Sequence, residues 1–428
     1  MVRSVPVPWN KGDITMHART IRHRGLIAAA VALLVALAVS LAALSAPAQA
    51  AAKQQPRGGK AMLKAKSGLR DKVPQFTRDL SYPKALPNNW AWGGAAWVQA
   101  DTRNHVWVFH RPLAVPAMDI MAGKIPAPAV IELDEDGDFV RGWGGSVWLN
   151  PWFVGSFGQT GTYPADTPPE HGIYVDSDRN VWVTGGGNVV LKFTRNGRHL
   201  LTIGQFGQTG GSNSTTLLGN PTDIYVDTKA NEVFVSDGYL NRRVVVFDSE
   251  TGAYKRHWGA YGNVPDDGPP ELYQQGQPLP RQFFVLHCID VSKDGLVYVC
   301  DRQRNRTQVF TKSGRFVKEV VHTPEARAGA GITVQGPFGD PAVSGAGFGS
   351  GGTLAFSADP GQEFLYIAAP PGIKIFRRRT LEFLGSFAAG GTHGITTDLD
   401  GSIITSGREK YDLTGYVKAP KSVASSSR

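Results

Sequence analysis

Three histidines at one position of a repeated pattern are the residues of this 428-residue chain best suited to chemistry. His171, His287 and His393 each stand two residues before the first apolar position of an alternating strand, in HGIYVD, HCIDV and HGITTD. Three further copies of that strand carry Ala96, Thr222 and Gly352 at the same place. In chain order, histidine falls in copies two, four and six. If the copies form a ring, alternate members lie a third of a turn apart and their imidazoles converge on the axis. Three neutral histidines with one position left open form the donor set of a catalytic zinc site. A single histidine at a strand start is ordinarily a polar rim residue, but that does not account for the alternation. The other histidines beyond residue 50 (His105, His110, His199, His257 and His322) show no such pattern.

The second strand of a unit ends beside the start of the first, because the two are antiparallel. Those ends read Phe-His-Arg111, Ser-Asp-Gly-Tyr239 and Cys-Asp-Arg302. An arginine there can clamp a carboxylate through two parallel hydrogen bonds. A tyrosine near a cationic metal can act as acid or base once its pKa is lowered. The plainer readings are a solvent-facing arginine and a turn tyrosine. The two cysteines, Cys288 and Cys300, are equidistant from Asp294 at the turn of HCIDVSKDGLVYVCDR and face each other across that hairpin. A disulfide and a pair of buried thiols both remain open.

The elements that must position these residues are short strands. Gly 51, Pro 28, Trp 10, Tyr 12 and Phe 20 suit strands and tight turns, and no long amphipathic helical stretch follows residue 50. Six units start at Ala96, His171, Thr222, His287, Gly352 and His393, each patterned as four strands with turns between. Four-stranded units at such a period predict an all-β, six-bladed propeller. A two-sheet sandwich explains the fixed strand order poorly. The sixth unit runs short, and because an open blade would leave unpaired edges, Val73–Trp92 is the expected donor of its outer strand. Long Gly/Pro-rich insertions at 150–169, 261–281 and 322–350 are expected on one rim of the channel.

Arg19, Arg22 and Arg24 precede an apolar run from Leu26 to Leu44 and the small-residue stretch Ala46–Ala50. That order predicts a cleaved signal peptide over 1–50, with an uncleaved anchor as the alternative, since the run could span a bilayer. A flexible linker over 51–73, a propeller over 74–417 and a disordered tail over 418–428 complete the expected organisation. The protein is then secreted or extracytoplasmic, touching a membrane only if the leader stays. Five basic residues and one acidic residue lie in 1–50, so the formal charge of +9 falls to +5 without them. No basic run accompanies it, so nucleic acid is not an expected partner. A monomer taking a small molecule or peptide in its central channel is the expected state.

The units resemble NHL repeats through Asp176, Asp227, Asp237 and Asp301, and through the segments Arg243–Phe247 and Arg306–Phe310. At a finer level the motifs resemble peptidyl-α-hydroxyglycine α-amidating lyase. That resemblance implies zinc on His171, His287 and His393, and a catalytic Tyr239 in Asp237-Gly-Tyr-Leu-Asn-Arg-Arg243. It also implies site arginines at Arg111, in Val108-Phe-His-Arg, and at Arg302, in Asp301-Arg. The implied reaction cleaves the N–C bond of an α-hydroxyglycine, giving an amide and glyoxylate. A structural calcium on the backbone of Val98 and Ile173 is implied as well. The family has Met-Pro before its third histidine and Asp after it, where this chain has Gly391, Thr392 and Gly394. No copper monooxygenase domain is recognisable, so a hydroxyglycine substrate would come from elsewhere. The alternative is a secreted NHL propeller that binds a protein, peptide or glycan without catalysis. A lactonase-type hydrolase would need an Asp/Glu/Asn-rich calcium site that these positions do not offer.

Overall fold

The computed structural model describes residues 73–144, 170–185, 187–269, 278–322, 352–369, 372–389, 392–407 and 413–418. The expectations for residues 1–50, for most of the linker and tail, and for the insertions at 150–169 and 323–350 lie outside them. No helix among the described residues is long and apolar enough to cross a membrane.

These residues form six antiparallel four-stranded sheets arranged as a six-bladed β-propeller. Blade one runs Gly94–Ala100, Val106–Arg111, Val130–Leu133 and Phe139–Trp143. Blade two runs Glu170–Val175, Val181–Gly185, Val189–Phe193 and His199–Gly204. Blade three comprises Pro221–Asp227, Glu232–Asp237, Arg243–Asp248 and Tyr254–Trp258. Leu286–Val291, Leu296–Asp301, Arg306–Thr311 and Phe316–Val321 make blade four. Thr353–Phe356, Phe364–Ala369, Gly372–Arg377 and Glu382–Ala388 make blade five. Blade six has Thr392–Thr397, Ile403–Gly407 and Leu413–Lys418. Each blade's first strand touches the next blade's, and the first strand of blade six touches that of blade one, so the ring closes.

Closure comes from the segment expected to supply it, and from a small part of that segment. Phe76–Asp79 pairs antiparallel with Leu413–Lys418 as the outer strand of blade six, with Phe76 opposite Lys418 and Asp79 opposite Gly415. Further along, Trp90–Ala91 instead pairs in parallel with Ile125–Pro126 beside blade one. Ile125 belongs to an excursion between strands two and three of blade one that also holds the short helix Ala117–Met121, which the sequence reading did not anticipate.

The strand pattern follows from what each strand meets. Second and third strands, such as Val181–Gly185 and Val189–Phe193, are almost wholly buried because neighbouring blades cover both faces of the sheet. Outer strands such as Phe316–Val321 are half-exposed and carry the charged residues. Blades also interlock at their outer turns. Gly197 and Gly314 hold positive φ, and a Cβ on either would come within 2.8 Å of Trp143 or Trp258 of the preceding blade. Only glycine fits both constraints.

Candidate metal centre

The first strands are not regular ladders. In five blades the register shifts at the aligned residue: between Ala95 and Trp97, Glu170 and Ile173, Pro221 and Asp223, Leu286 and Cys288, and Thr392 and Gly394. A β-bulge leaves one residue out of the ladder and re-aims its side chain. Here the bulged residues include His171, His287 and His393, and their rings meet at the axis. Ring centroids are 4.7 Å apart for His171 and His287, 4.8 Å for His171 and His393, and 4.9 Å for His287 and His393.

The intervening blades complete the arrangement. His171 Nδ1 lies 2.7 Å from the carbonyl of Thr222, and His393 Nδ1 lies 2.6 Å from that of Ala96. His287 Nδ1 meets the carbonyl of Gly352. The three acceptors are the aligned residues of blades three, one and five. A carbonyl can only accept, so each Nδ1 carries the proton and each Nε2 lone pair faces inward. That is how outer partners orient histidine ligands.

All three rings are buried, with His287 only 1% exposed. Burial holds the pKa of His287 well below the ordinary histidine value, and Arg302, His171 and His393 push in the same direction. A neutral imidazole is the ligand form. His287 Nε2 is buried without a hydrogen-bond partner. Such a group is costly unless something takes its lone pair. One donor atom from each ring lies within 4.8 Å of the others. The three side chains therefore fit a metal ion held through nitrogen.

Beneath them lies Trp97, a residue the sequence reading passed over, with ring-centroid distances of 5.4, 5.7 and 5.6 Å to His171, His287 and His393. It is the residue after the bulge in blade one and forms an apolar floor to the site.

Tyr239 lies at the rim of the cluster, its hydroxyl 3.2 Å from His171 Nε2. Its loop is held by buried charge. Arg243 Nε donates to Asp237 Oδ2 at 2.9 Å, Asn241 Nδ2 donates to the same oxygen at 2.7 Å, and Gly219 N donates to Asp237 Oδ1 at 2.7 Å. Gly238 is dictated by the next blade: a Cβ there would stand 1.8 Å from the carbonyl oxygen of Leu286, the residue before His287. In the DGYLNRR motif, then, Asp237, Gly238, Asn241 and Arg243 are the scaffold that carries Tyr239.

Arg302 stacks over the Tyr239 ring with its guanidinium carbon 5.5 Å from the centroid, and one of its terminal nitrogens is 3.5 Å from the tyrosine hydroxyl. Its Nε is buried without a hydrogen-bond partner. Arg111 sits further along the rim. Its Nε and Nη2 donate to the backbone carbonyl of Glu170, beside His171, at 3.3 and 3.1 Å. Burial lifts the Glu170 carboxyl to about 7.

Val98 and Ile173 line a cavity of about 240 Å³ farther along the axis, which Trp97 also bounds. Three aspartates that the sequence reading did not single out line it: Asp223, Asp290 and Asp398. Burial raises Asp290 to about 7 and Asp223 well above the usual carboxylate range. No carboxylate reaches it from position 394, where a Cβ would already stand 3.1 Å from Trp97 Cα. Cys288 and Cys300 are opposite each other in the blade-four register and form a disulfide.

No family profile matches the chain. Among curated proteins, it is 33% identical over 156 residues to peptidyl-glycine alpha-amidating monooxygenase B of Xenopus laevis, covering 36% of this chain and 16% of that one. The mouse NHL repeat-containing protein 3 is 27% identical over 250 residues, covering 56% and 57%. Peptidyl-alpha-hydroxyglycine alpha-amidating lyase 1 of Drosophila melanogaster is 24% identical over 264 residues, covering 57% and 43%. The chain thus spans well under two thirds of these relatives. Among solved structures, virginiamycin B lyase from Staphylococcus aureus aligns with a TM-score of 0.43 at 12% identity, over 81% of this chain and 86% of that one, a likeness too distant to bear on the site. The chain is a six-bladed β-propeller related at low identity to NHL repeat proteins and to peptidyl-α-hydroxyglycine α-amidating lyases.

Proposed function

We propose that the protein is a zinc-dependent carbon–nitrogen lyase that splits an α-hydroxyglycine into an amide and glyoxylate. The observation that carries this reading is the set of three inward Nε2 atoms, each fixed by a backbone carbonyl, with Tyr239 and Arg302 at their edge. Zinc held by His171, His287 and His393 would supply Lewis acidity toward the substrate's α-hydroxyl. Arg302, stacked on Tyr239, offers its guanidinium to the substrate carboxylate. The Tyr239 hydroxyl would move a proton from the α-hydroxyl oxygen toward the departing amide nitrogen. As the N–C bond breaks, its electrons stay on that nitrogen and the oxygen becomes the aldehyde of glyoxylate. The Trp97 floor keeps water from one side of the reacting centre.

The disulfide supports a place outside the reducing cytosol, as does the leader expected over 1–50.

A second reading is a binding propeller without catalysis, favoured by an alignment that covers 57% of NHL repeat-containing protein 3 against 43% of the Drosophila lyase. Metal content separates the two. The lyase reading requires one zinc per chain that His287→Ala removes, and glyoxylate release from an α-hydroxyglycyl peptide. A purified protein that takes up no metal would leave the binding reading.

A further inference from the structure

The cysteine pair occupies a place in blade four that other blades give to a hydroxyl. In blade two, Gly172 follows His171, and its amide donates to Thr184 Oγ1 on the second strand at 2.9 Å. Thr184 in turn donates to the Thr222 carbonyl at 2.8 Å, the same carbonyl that takes His171 Nδ1. In blade six, the amide of Gly394, which follows His393, donates to Ser406 Oγ at 3.0 Å. In blade three, the amide of Asp223 donates to Ser236 Oγ at 2.9 Å. Each bond ties the residue just past the bulge to the neighbouring strand, and so fixes where the bulge sits.

Blade four has the same bulge between Leu286 and Cys288 and no hydroxyl opposite it. The register partners are Cys288 and Cys300, and they are covalently joined. Blade four is also the blade that carries two groups of the site, His287 on the first strand and Arg302 just past the end of the second. Both crowd one point: a Cβ built on Gly352 would lie 3.7 Å from His287 Nδ1 and 3.8 Å from Arg302 Cδ.

We propose that the Cys288–Cys300 disulfide is a positioning device for the metal centre, a covalent counterpart of the hydroxyl-to-amide tie that holds His171 and His393. It fixes the bulge that aims His287 and the spacing between His287 and Arg302. The inference rests on the metal reading above.

The comparison across blades supplies its own rescue. Cys288→Ala/Cys300→Ala removes the tie, whereas Cys288→Gly/Cys300→Ser rebuilds blade six's Gly394 and Ser406 pairing within blade four. Zinc dissociation constants of the metal-free proteins, measured by competition with a chromophoric chelator, are the first readout. Thermal melting without metal is the second. The alanine pair should bind zinc at least about tenfold more weakly, as loss of a ligand's outer support typically does, and the glycine–serine pair should return to within about threefold of wild type. Equal affinity in wild type and the alanine pair would overturn the proposal. So would a glycine–serine pair as weak as the alanine pair, or failure of both variants to fold, since the bond would then hold the blade rather than the ligand. Wild-type protein that takes up no zinc would instead sink the metal reading itself.

Discussion

His110 shows how His171, His287 and His393 differ from a histidine that serves only the fold. His110 is just as buried, but Gly93 N donates to its Nδ1 at 3.1 Å and its Nε2 meets the Pro128 carbonyl at 2.6 Å. Both nitrogens are spent within blade one, and burial brings its pKa down to about 4. In each of the three axial rings, it is Nδ1 that meets a backbone carbonyl. Tyr239, by contrast, touches the cluster without being one of its three members. On the lyase reading, Tyr239→Phe should therefore bind zinc as the wild type does and lose turnover by roughly a hundredfold or more, the usual scale for a lost proton-transfer group. Metal content and glyoxylate release on one preparation would check both halves, and loss of metal would contradict the role. Asp290 makes a separate prediction. Its folded pKa of about 7 lies above the unfolded value of 3.8, so the native state holds the extra proton. The stability penalty is absent near pH 4, grows as pH rises between those values and is complete above about 7. Asp290→Asn should thus raise the melting temperature by a few degrees at pH 8 and leave it unchanged at pH 4. The histidine positions could be read from spacing alone. Trp97 and Asp223 could not, because what gives them meaning is contact with other blades, the three histidines for Trp97 and the Ile289 amide for Asp223.

Among elements, the Tyr239 loop shows how a motif divides into chemistry and support. Asp237 and Arg243 are both fully buried, and their ion pair is joined by Asn241 and the Gly219 amide. Removing one partner strands the other charge. Arg243→Met should destabilise the fold by about 3–5 kcal/mol, seen as a lower denaturation midpoint. The parallel pair Arg306 and Asp301 in blade four is equally buried. Strands and turns were legible because alternation and turn triplets such as Lys293-Asp294-Gly295 report local preferences. The bulges were not. A strand such as HGIYV reads identically with or without a residue out of register, and only the neighbouring blade's carbonyl reveals that the histidine leaves the ladder. The same holds for Thr184 and Ser406, whose hydroxyls looked like ordinary strand residues.

For the molecule as a whole, the six-unit count and the need for a closing strand followed from the repeat, while the closing register followed from packing. Phe76 meets Phe387 and Tyr366 of blade five, with ring centroids 4.9 and 5.6 Å apart. That aromatic seat chooses four residues out of the wider segment. Phe76→Ala should open the ring at its seam and cost about 3 kcal/mol, with limited proteolysis cutting first near 73–80. Protection of that stretch equal to wild type would argue that the seam is held elsewhere.

That seam also sets a timetable. Phe76–Asp79 leaves the ribosome long before its partner at Leu413–Lys418. At about 5–20 residues per second, the first strand waits roughly 20–70 s for the second. Meanwhile blade six is unfinished, and its edge is open to any extended chain nearby. Blades one to five contain all their own strands and can form as they emerge. His393 arrives with the unfinished blade, so His171 and His287 are in place while the third imidazole is still missing. Assembly of the candidate metal centre and closure of the ring therefore fall together, once Leu413–Lys418 has emerged.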